Sequence, residues 1–316
     1  MGISAARQKT HVGDWLGKFV NFKKSWPRHL FHHANVETAI SILKTGALYS
    51  REDALAHGVL QNDIAPEEIV QNQDAAHPYV RLYFRPRTPT QHCIEGIRKP
   101  VDYFMGRHGG FLVMLAFRSE DVLTMESTKF STGNMQSPYS RILDGDAGFD
   151  ELDFAGIYHD KPYPSDDEKR KRCAEVLSQS PLDIATTLAA IIVRTDADAA
   201  TMRFLLTCEG LGHMLPLVKK SQGTGIFFNE YTALEFVDTA PGRISFKLKG
   251  TKSTGDIQTV LTVFDAANTP DNLVTQELRP NHPYYTEHNL PAGSYRLLIK
   301  LEGCYAHESL AHLVPK

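Results

Sequence analysis

The chain has 316 residues, with 34 Lys and Arg against 37 Asp and Glu, and a formal net charge of −3 at pH 7. This length can bury a substantial core and predicts one large domain with a smaller one. A dedicated duplex-DNA binder is usually basic. The charge therefore disfavours that class and leaves local contacts with a nucleic acid.

Neither a membrane segment nor a signal peptide is predicted. The longest apolar segment, Phe111 to Phe117, is too short to span a bilayer, and residues 1 to 24 contain no long apolar run. The cysteines are far apart and form no Cys-x-x-Cys pair, which is typical of thiols in a reducing compartment. We therefore expect a cytoplasmic protein. The cysteines are Cys93, Cys173, Cys208 and Cys304.

A short strand that carries His32 is predicted to lead directly into an amphipathic helix. Apolar residues recur at helical spacing at Val36, Ala39, Ile40 and Leu43. Asn35 is the expected N-cap, and Gly46 is the expected C-terminal stop.

Further elements follow in chain order. Alternation predicts a strand over Val80 to Phe84 that ends before Pro86, and the apolar run 111–117 predicts a central strand. Residues 175–177 and 189–193 also have the pattern of strands. A helix is predicted from 196 to 206, with Asp196 as its cap.

Glu175 is the residue of greatest chemical interest. A run of charges at residues 168–172 leads to this carboxylate, and its neighbours Ala174, Val176 and Leu177 are apolar. An acid in such surroundings is paired, at the mouth of a cleft, or both. An ordinary ion-pair residue is the alternative interpretation.

The pattern changes after about residue 238. Ile244, Phe246 and Leu248 alternate with polar residues, and the same period of two recurs over residues 295–302. This predicts a small antiparallel β-domain of the sandwich type. We therefore divide the chain into domains at 1–237 and 238–316.

Several short motifs follow one another along the chain. They are Phe31-His32, Ser41-Ile42-Leu43 with Gly46, Tyr83-Phe84, Pro86-Arg87-Thr88-Pro89, Phe130-Ser131-Thr132-Gly133-Asn134 and Arg172-Cys173-Ala174-Glu175. In order and spacing, these motifs resemble those of the DarT family of DNA-targeting ADP-ribosyltransferases, and the resemblance covers roughly residues 28 to 235. It implies an α+β fold with a split β-sheet core of the ADP-ribosyltransferase type.

The resemblance also implies a function. The chain would use NAD as co-substrate and modify a nucleobase of single-stranded DNA, as a toxin or phage-defence effector. Its expected partner is a macrodomain antitoxin that reverses the modification. Two alternatives stay open: transfer to RNA or protein, and an inactive module that binds NAD or nucleic acid.

The resemblance assigns roles to particular residues. Glu175 would stabilise positive charge that develops on the ribose, His32 would orient that ribose, and Arg87 would bind the pyrophosphate. The expected cofactor contacts, besides His32 and Arg87, are Phe31, Gly46, Arg51, Tyr79 and Tyr83. The expected substrate contacts are Asn134, Arg141, Lys169 and Arg172. No metal is expected, because His29 and His32 lack a further pair of ligands.

One departure from the family pattern concerns an arginine. DarT proteins carry an essential arginine in a basic helical stretch before the Tyr-Phe strand, whereas residues 64–73 here contain none. Ala34 likewise stands where the family has a threonine. The missing charge would have to come from Arg51, Arg81, Arg85 or Arg87, or the chain has lost activity or changed substrate.

Overall fold

The computed structural model describes residues 1–61, 63–65, 76–222, 225–252 and 255–316. Most of the stretch without arginine, residues 66–73, lies outside the described residues. The chain forms two compact units. The first contains Met1–Cys93, Met114–Ile191 and Gly225–Phe227, and the second contains Ile94–Val113, Ile192–Thr224 and Phe228–Lys316. The domain boundary after residue 237 stays a prediction.

The helices are mostly short. Within the described part of the chain, no helix is long and apolar enough to cross a membrane. In the described ranges, 3₁₀ helices lie at Asn21–Arg28, Pro100–Asp102 and Gly212–Leu217. The α-helices are α1 (Ala5–Lys18), α2 (Val36–Thr45), α3 (Arg51–Ala56), α4 (Pro89–Ile94), α5 (Ser119–Leu123), α6 (Gly145–Asp150), α7 (Phe154–Ile157), α8 (Asp166–Arg172), α9 (Ile184–Thr187) and α10 (Asp196–Cys208).

Helix α2 follows the predicted pattern. Its apolar residues Val36, Ala39 and Leu43 are at most 1% exposed. Gly46 ends the helix with φ 76°, a left-handed conformation that costs glycine little. Asn35 occupies the N-cap position, but its side chain does not cap the helix and donates instead to Glu37.

Helix α10 differs from the prediction at its first residue. Thr195, not Asp196, is the N-cap, and its hydroxyl accepts a hydrogen bond from the backbone N–H of Asp198 at 2.9 Å. Asp196 is the first helical residue, where a carboxylate still interacts favourably with the helix dipole.

Most strands of the first unit belong to one sheet, with helices around it. Its strands are β1 (His29–Asn35), β3 (Val80–Tyr83), β4 (Leu112–Arg118), β5 (Thr128–Ser131), β6 (Ile142–Leu143), β7 (Glu175–Ser178) and β9 (Leu188–Val193). They lie in the order β9-β4-β1-β3-β7-β5-β6. The pairs β1·β3, β3·β7, β5·β7 and β5·β6 are antiparallel. Separately, β2 (Ala47–Leu48) pairs with β8 (Leu182–Asp183).

The second unit contains the predicted antiparallel β structure. One sheet has the order β11-β12-β15 and the other β14-β13-β16-β17, and their apolar faces share one core. Ile97 and Ala197 also belong to this core. The α+β class and the C-terminal antiparallel sheets are confirmed. The strands are β10 (Val218–Lys220), β11 (Ala233–Ala240), β12 (Arg243–Lys249), β13 (Ile257–Phe264), β14 (Pro270–Leu278), β15 (Pro283–Glu287), β16 (Gly293–Leu301) and β17 (Cys304–Leu313).

His11 on α1 makes the first unit sensitive to acid. Its ring is 2% exposed and lies against Phe149 and Phe154, with Nε2 3.1 Å from the hydroxyl of Tyr158. Burial, and then the charges of Arg7 and Lys18, lower the pKa of His11 to about 3. The folded state therefore keeps this histidine neutral at pH values where the unfolded chain protonates it.

We expect His11 to cost the protein about 2 kcal/mol of unfolding free energy when the pH falls from 6.5 to 5, because only the unfolded state gains the proton. Urea unfolding at the two pH values measures this difference. His11→Phe should make the protein less sensitive to acid, whereas His57→Gln, at an exposed histidine, should not. Equal acid sensitivity in the wild type and His11→Phe would contradict the assignment.

Candidate active site

Three neighbouring strands bring the central residues of the site together. Phe31 on β1 pairs with Tyr83 on β3, and Tyr83 pairs with Glu175 on β7. Residues directly opposite in an antiparallel ladder point to the same face of the sheet. Arg81 precedes Tyr83 by two residues, so its side chain shares that face and reaches Glu175 diagonally.

Arg81 and Glu175 form a bidentate ion pair. Nε of Arg81 donates to Oε2 of Glu175 at 2.8 Å, and a terminal nitrogen donates to Oε1 at 2.6 Å. The Glu175 side chain is 1% exposed and that of Arg81 is 27% exposed. The carboxylate is thus buried behind a guanidinium that still reaches solvent, a geometry in which arginine holds an anion in a fixed orientation.

The charges of this pair act on neighbouring groups. Burial opposes the positive charge of Arg81, but the Glu175 carboxylate outweighs it and holds the pKa of Arg81 above its ordinary value. Burial, together with Glu175, also raises the pKa of the Tyr83 phenol. Tyr83 is therefore a neutral hydrogen-bonding group beside the carboxylate.

Both histidines of the His32-His33 pair contact strand β3. Nδ1 of His32 lies 3.1 Å from the carbonyl oxygen of Arg81, and the ring of His33 stacks on Tyr83 at 5.5 Å with an interplanar angle of 2°. Burial lowers the pKa of His32, and burial with the neighbouring His32 and Arg81 lowers that of His33 to about 3. Both rings are neutral near pH 7. Because the carbonyl of Arg81 only accepts, Nδ1 of His32 carries the proton and Nε2 is left as an acceptor.

The segment after β5 is attached to the strand of Glu175. The hydroxyl of Ser131 accepts a hydrogen bond from the backbone N–H of Glu175 at 2.9 Å. The N–H of Asn134 donates to the carbonyl of Arg170 at 3.0 Å. Gly133 packs so closely on Arg170 that an added Cβ would lie 2.8 Å from its Cγ. Arg141, in contrast, is exposed and pairs with Glu151 at 2.8 Å.

Arg87 lies in a second, strongly basic cluster. Asp160 accepts from Arg85 at 2.7 Å, from Arg87 at 3.2 Å and from Lys23 at 2.9 Å, so three cations share one carboxylate. Burial would raise the pKa of Asp160, but Arg85, Lys23 and Arg87 together lower it. Arg87 also has φ 58°, which is uncommon for a residue with a side chain, and its N–H donates to Gln91 at 2.8 Å. Such backbone conformations cluster at functional sites.

The other predicted cofactor contacts lie on different elements of the fold. Phe31 is 1% exposed in the core, and Gly46 ends α2. Arg51 pairs with Asp63, and Tyr79 is half-buried with Nζ of Lys129 5.9 Å from its ring centre. These positions stay predictions.

Two basic residues of helix α8 differ in exposure. Lys169 is 52% exposed and pairs with Asp166 at 2.8 Å. Arg172 is 8% exposed and donates to the carbonyl of Lys161 at 2.7 Å. Lys169 is therefore available to a ligand from solvent, whereas Arg172 holds the chain around it. Among the described residues, no three His, Cys, Asp or Glu side chains are grouped so that they could hold a metal ion.

Sequence reasoning singled out Glu175 and His32 but did not identify Arg81 or His33 as site residues. The sequence offers Arg81 only as one of four arginines for the missing charge, and it gives His33 no role. The alternation of β3 was the available signal, because it puts Arg81 and Tyr83 on one face of the sheet.

Comparison with known proteins gives one family match. The family model described as "ssDNA thymidine ADP-ribosyltransferase, DarT" matches residues 31–223. No curated protein matches the chain.

Among solved structures, a DarT from Thermus sp. 2.9 in complex with ADP-ribosylated ssDNA is 16% identical, with a TM-score of 0.50, over 64% of this chain and 97% of that one. This likeness supports the fold. The same Thermus protein in complex with NAD+ is 16% identical, with a TM-score of 0.47, over 62% and 96% of the two chains. A Thermosipho africanus DarTG in complex with ADP-ribose is 18% identical, with a TM-score of 0.48, over 64% and 51%.

Proposed function

The chain belongs to the DarT family, and we propose that it transfers an ADP-ribosyl group from NAD to a thymine base of single-stranded DNA. The observation that carries this proposal is the buried Glu175 carboxylate held by Arg81, with the neutral rings of His32 and His33 in contact with the adjacent strand β3. It combines an anion, a fixed cation and uncharged hydrogen-bonding rings on three adjacent strands.

NAD supplies the ADP-ribosyl group when its bond between nicotinamide and ribose breaks, and positive charge then develops on the ribose. A preoriented carboxylate in a site with little water stabilises such charge better than water does. Arg81 keeps Glu175 in one orientation, and each carboxylate oxygen still has a lone pair for a ribose hydroxyl. Glu175 can also accept the proton that a thymine ring nitrogen loses.

His32 and His33 are proposed to hold the nicotinamide end of NAD. Nε2 of His32 is an acceptor for a hydroxyl or an amide N–H, because its Nδ1 proton is directed at the carbonyl of Arg81. Nδ1 of His33 is buried and has no hydrogen-bond partner among the described residues. A buried polar atom of this kind usually finds a partner, and a ligand group would provide one.

The basic cluster around Asp160 is proposed to receive the pyrophosphate. Arg85, Arg87 and Lys23 carry three positive charges against the single carboxylate of Asp160. Arginine recognises phosphate oxygens with two parallel hydrogen bonds, and excess positive charge attracts an anion. Arg87, which is 20% exposed, is the member we assign to the pyrophosphate.

The biological setting is proposed on the same family membership. An enzyme that marks single-stranded DNA with ADP-ribose would act in the cytoplasm as the toxic half of a toxin–antitoxin or phage-defence pair. A macrodomain-type hydrolase that removes the mark is its expected partner.

The test is mass spectrometry after incubation of the protein with NAD and short acceptors. We expect one ADP-ribosyl group on a single-stranded DNA oligonucleotide that contains thymine, and none on a matched oligonucleotide without thymine. Modification of RNA or of lysate proteins instead would overturn the acceptor. If no acceptor is modified while calorimetry detects NAD binding, the chain is a binding module.

A further inference from the structure

A cysteine, a histidine and a tyrosine meet in the second unit, and nothing in the proposed transfer reaction uses them. Cys304 is the first residue of β17, and Nε2 of His108 lies 3.1 Å from its Sγ. The hydroxyl of Tyr103 lies 3.7 Å from the same sulfur. The rings of Tyr103 and His108 stack at 4.0 Å with an interplanar angle of 13°.

A tight turn fixes the position of the thiol. Leu301 pairs with Cys304 across a two-residue hairpin, and the intervening Glu302 and Gly303 have φ values of 49° and 74°. Positive φ at both central residues is the conformation of the turn that best fits two twisted strands. The sulfur is thus presented from a rigid hairpin. All three side chains are half-buried, so each is partly open to solvent.

His108 is uncharged near pH 7, so its ring can accept a hydrogen bond from the thiol. Burial, and then the positive charge of Arg98, lower the pKa of His108 to about 4, so the ring is neutral near pH 7. In the tautomer with its proton on Nδ1, Nε2 accepts the proton of the thiol. The carbonyl of Glu302 is a second acceptor for that proton, but it lies farther away, at 3.5 Å.

We propose that Cys304, His108 and Tyr103 form a thiol-exchange site that takes small-molecule disulfides. Sγ of Cys304 attacks one sulfur of the disulfide while Nε2 of His108 accepts the thiol proton. The sulfur–sulfur bond of the small molecule breaks and a mixed disulfide with Cys304 forms. The departing thiolate takes the proton from His108, and the hydroxyl of Tyr103 donates to the sulfur as negative charge develops on it.

The other cysteines provide internal controls. Cys208 is exposed, and burial together with Glu308 and Glu209 raises its pKa. Cys173 is 2% exposed, and burial raises its pKa to about 11. Exposure alone therefore predicts that Cys208 reacts first, whereas a base beside the sulfur predicts that Cys304 does.

The experiment treats the reduced full-length protein with oxidised glutathione at pH 7, followed by an acid quench and peptide mapping by mass spectrometry. We expect the mixed disulfide at Cys304 to form at least about tenfold faster than at Cys208. A rate at Cys208 equal to or above that at Cys304 overturns the proposal. This comparison uses only the wild-type protein.

Two variants distinguish the effect of His108 and Tyr103 on the thiol from the effect of its exposure alone. His108→Gln should slow modification of Cys304 by at least about tenfold, because the base is lost, and should leave the Cys208 rate unchanged. Tyr103→Phe keeps the stacked ring and removes only the hydroxyl, so it should slow Cys304 less. An unchanged Cys304 rate in a folded His108→Gln protein would show that the imidazole takes no part.

Discussion

Glu175→Gln is expected to lower the rate of ADP-ribosyl transfer to single-stranded DNA by about 10²-fold or more, and to leave the affinity for NAD nearly unchanged. The amide keeps the shape of the side chain but removes the charge that we propose stabilises the ribose during transfer. The measurement is the single-turnover rate on a thymine-containing oligonucleotide, with calorimetry for NAD.

A loss of stability must be distinguished from a loss of chemistry. Breaking a buried ion pair typically costs about 3–5 kcal/mol. Arg81 is 27% exposed, so solvent screens it and the cost should be smaller. Thermal unfolding measures this cost. Glu287→Gln, which removes the carboxylate from the exposed pair with Lys316, is the matched control. A wild-type transfer rate in folded Glu175→Gln would refute the catalytic assignment.

The second large expected effect concerns Arg81, the ion-pair partner of Glu175. Arg81→Lys keeps the positive charge but loses the bidentate hydrogen bonding, so the carboxylate of Glu175 is no longer held in one orientation. We expect the transfer rate to fall by at least about tenfold. Arg7→Lys is the control, because Arg7 is similarly exposed at 23% and pairs with Asp150 away from Glu175.

A double variant tests whether the two residues act as one unit. Residues in direct contact usually have effects that do not add. Transfer by the variant with both Arg81→Lys and Glu175→Gln should therefore be no slower than transfer by Glu175→Gln alone. Strictly additive losses would show that Arg81 contributes independently of Glu175.

Local patterns predicted those parts of the fold that depend on neighbouring residues. The spacing of apolar residues identified α2 and Gly46 identified its end, since a helix buries one face and needs a left-handed residue after it. Alternation identified strands β12 and β16 of the sandwich for the same kind of reason. The apolar neighbours of Glu175 indicated an acid that is paired or at the mouth of a cleft, and the carboxylate is buried and paired with Arg81.

Long-range register could not be predicted in this way. Arg81 and Glu175 are 94 residues apart, and their pairing depends on how β3 aligns with β7. A shift of one residue would turn Arg81 to the other face of the sheet. Competition between side chains for one hydrogen bond cannot be predicted from local patterns either. Asn35 has the right position for a helix cap, but its amide donates to Glu37 instead.

Arg81 contacts Glu175 and His32 through different parts of the residue. Its guanidinium binds Glu175, whereas its main-chain carbonyl faces His32. Every amino acid has that carbonyl, so substitution at position 81 alters the environment of the acid and leaves the tautomer of the histidine fixed by the backbone. The acid and the histidine can thus be varied separately, because a substitution at position 81 changes what faces Glu175 and keeps the carbonyl that faces His32.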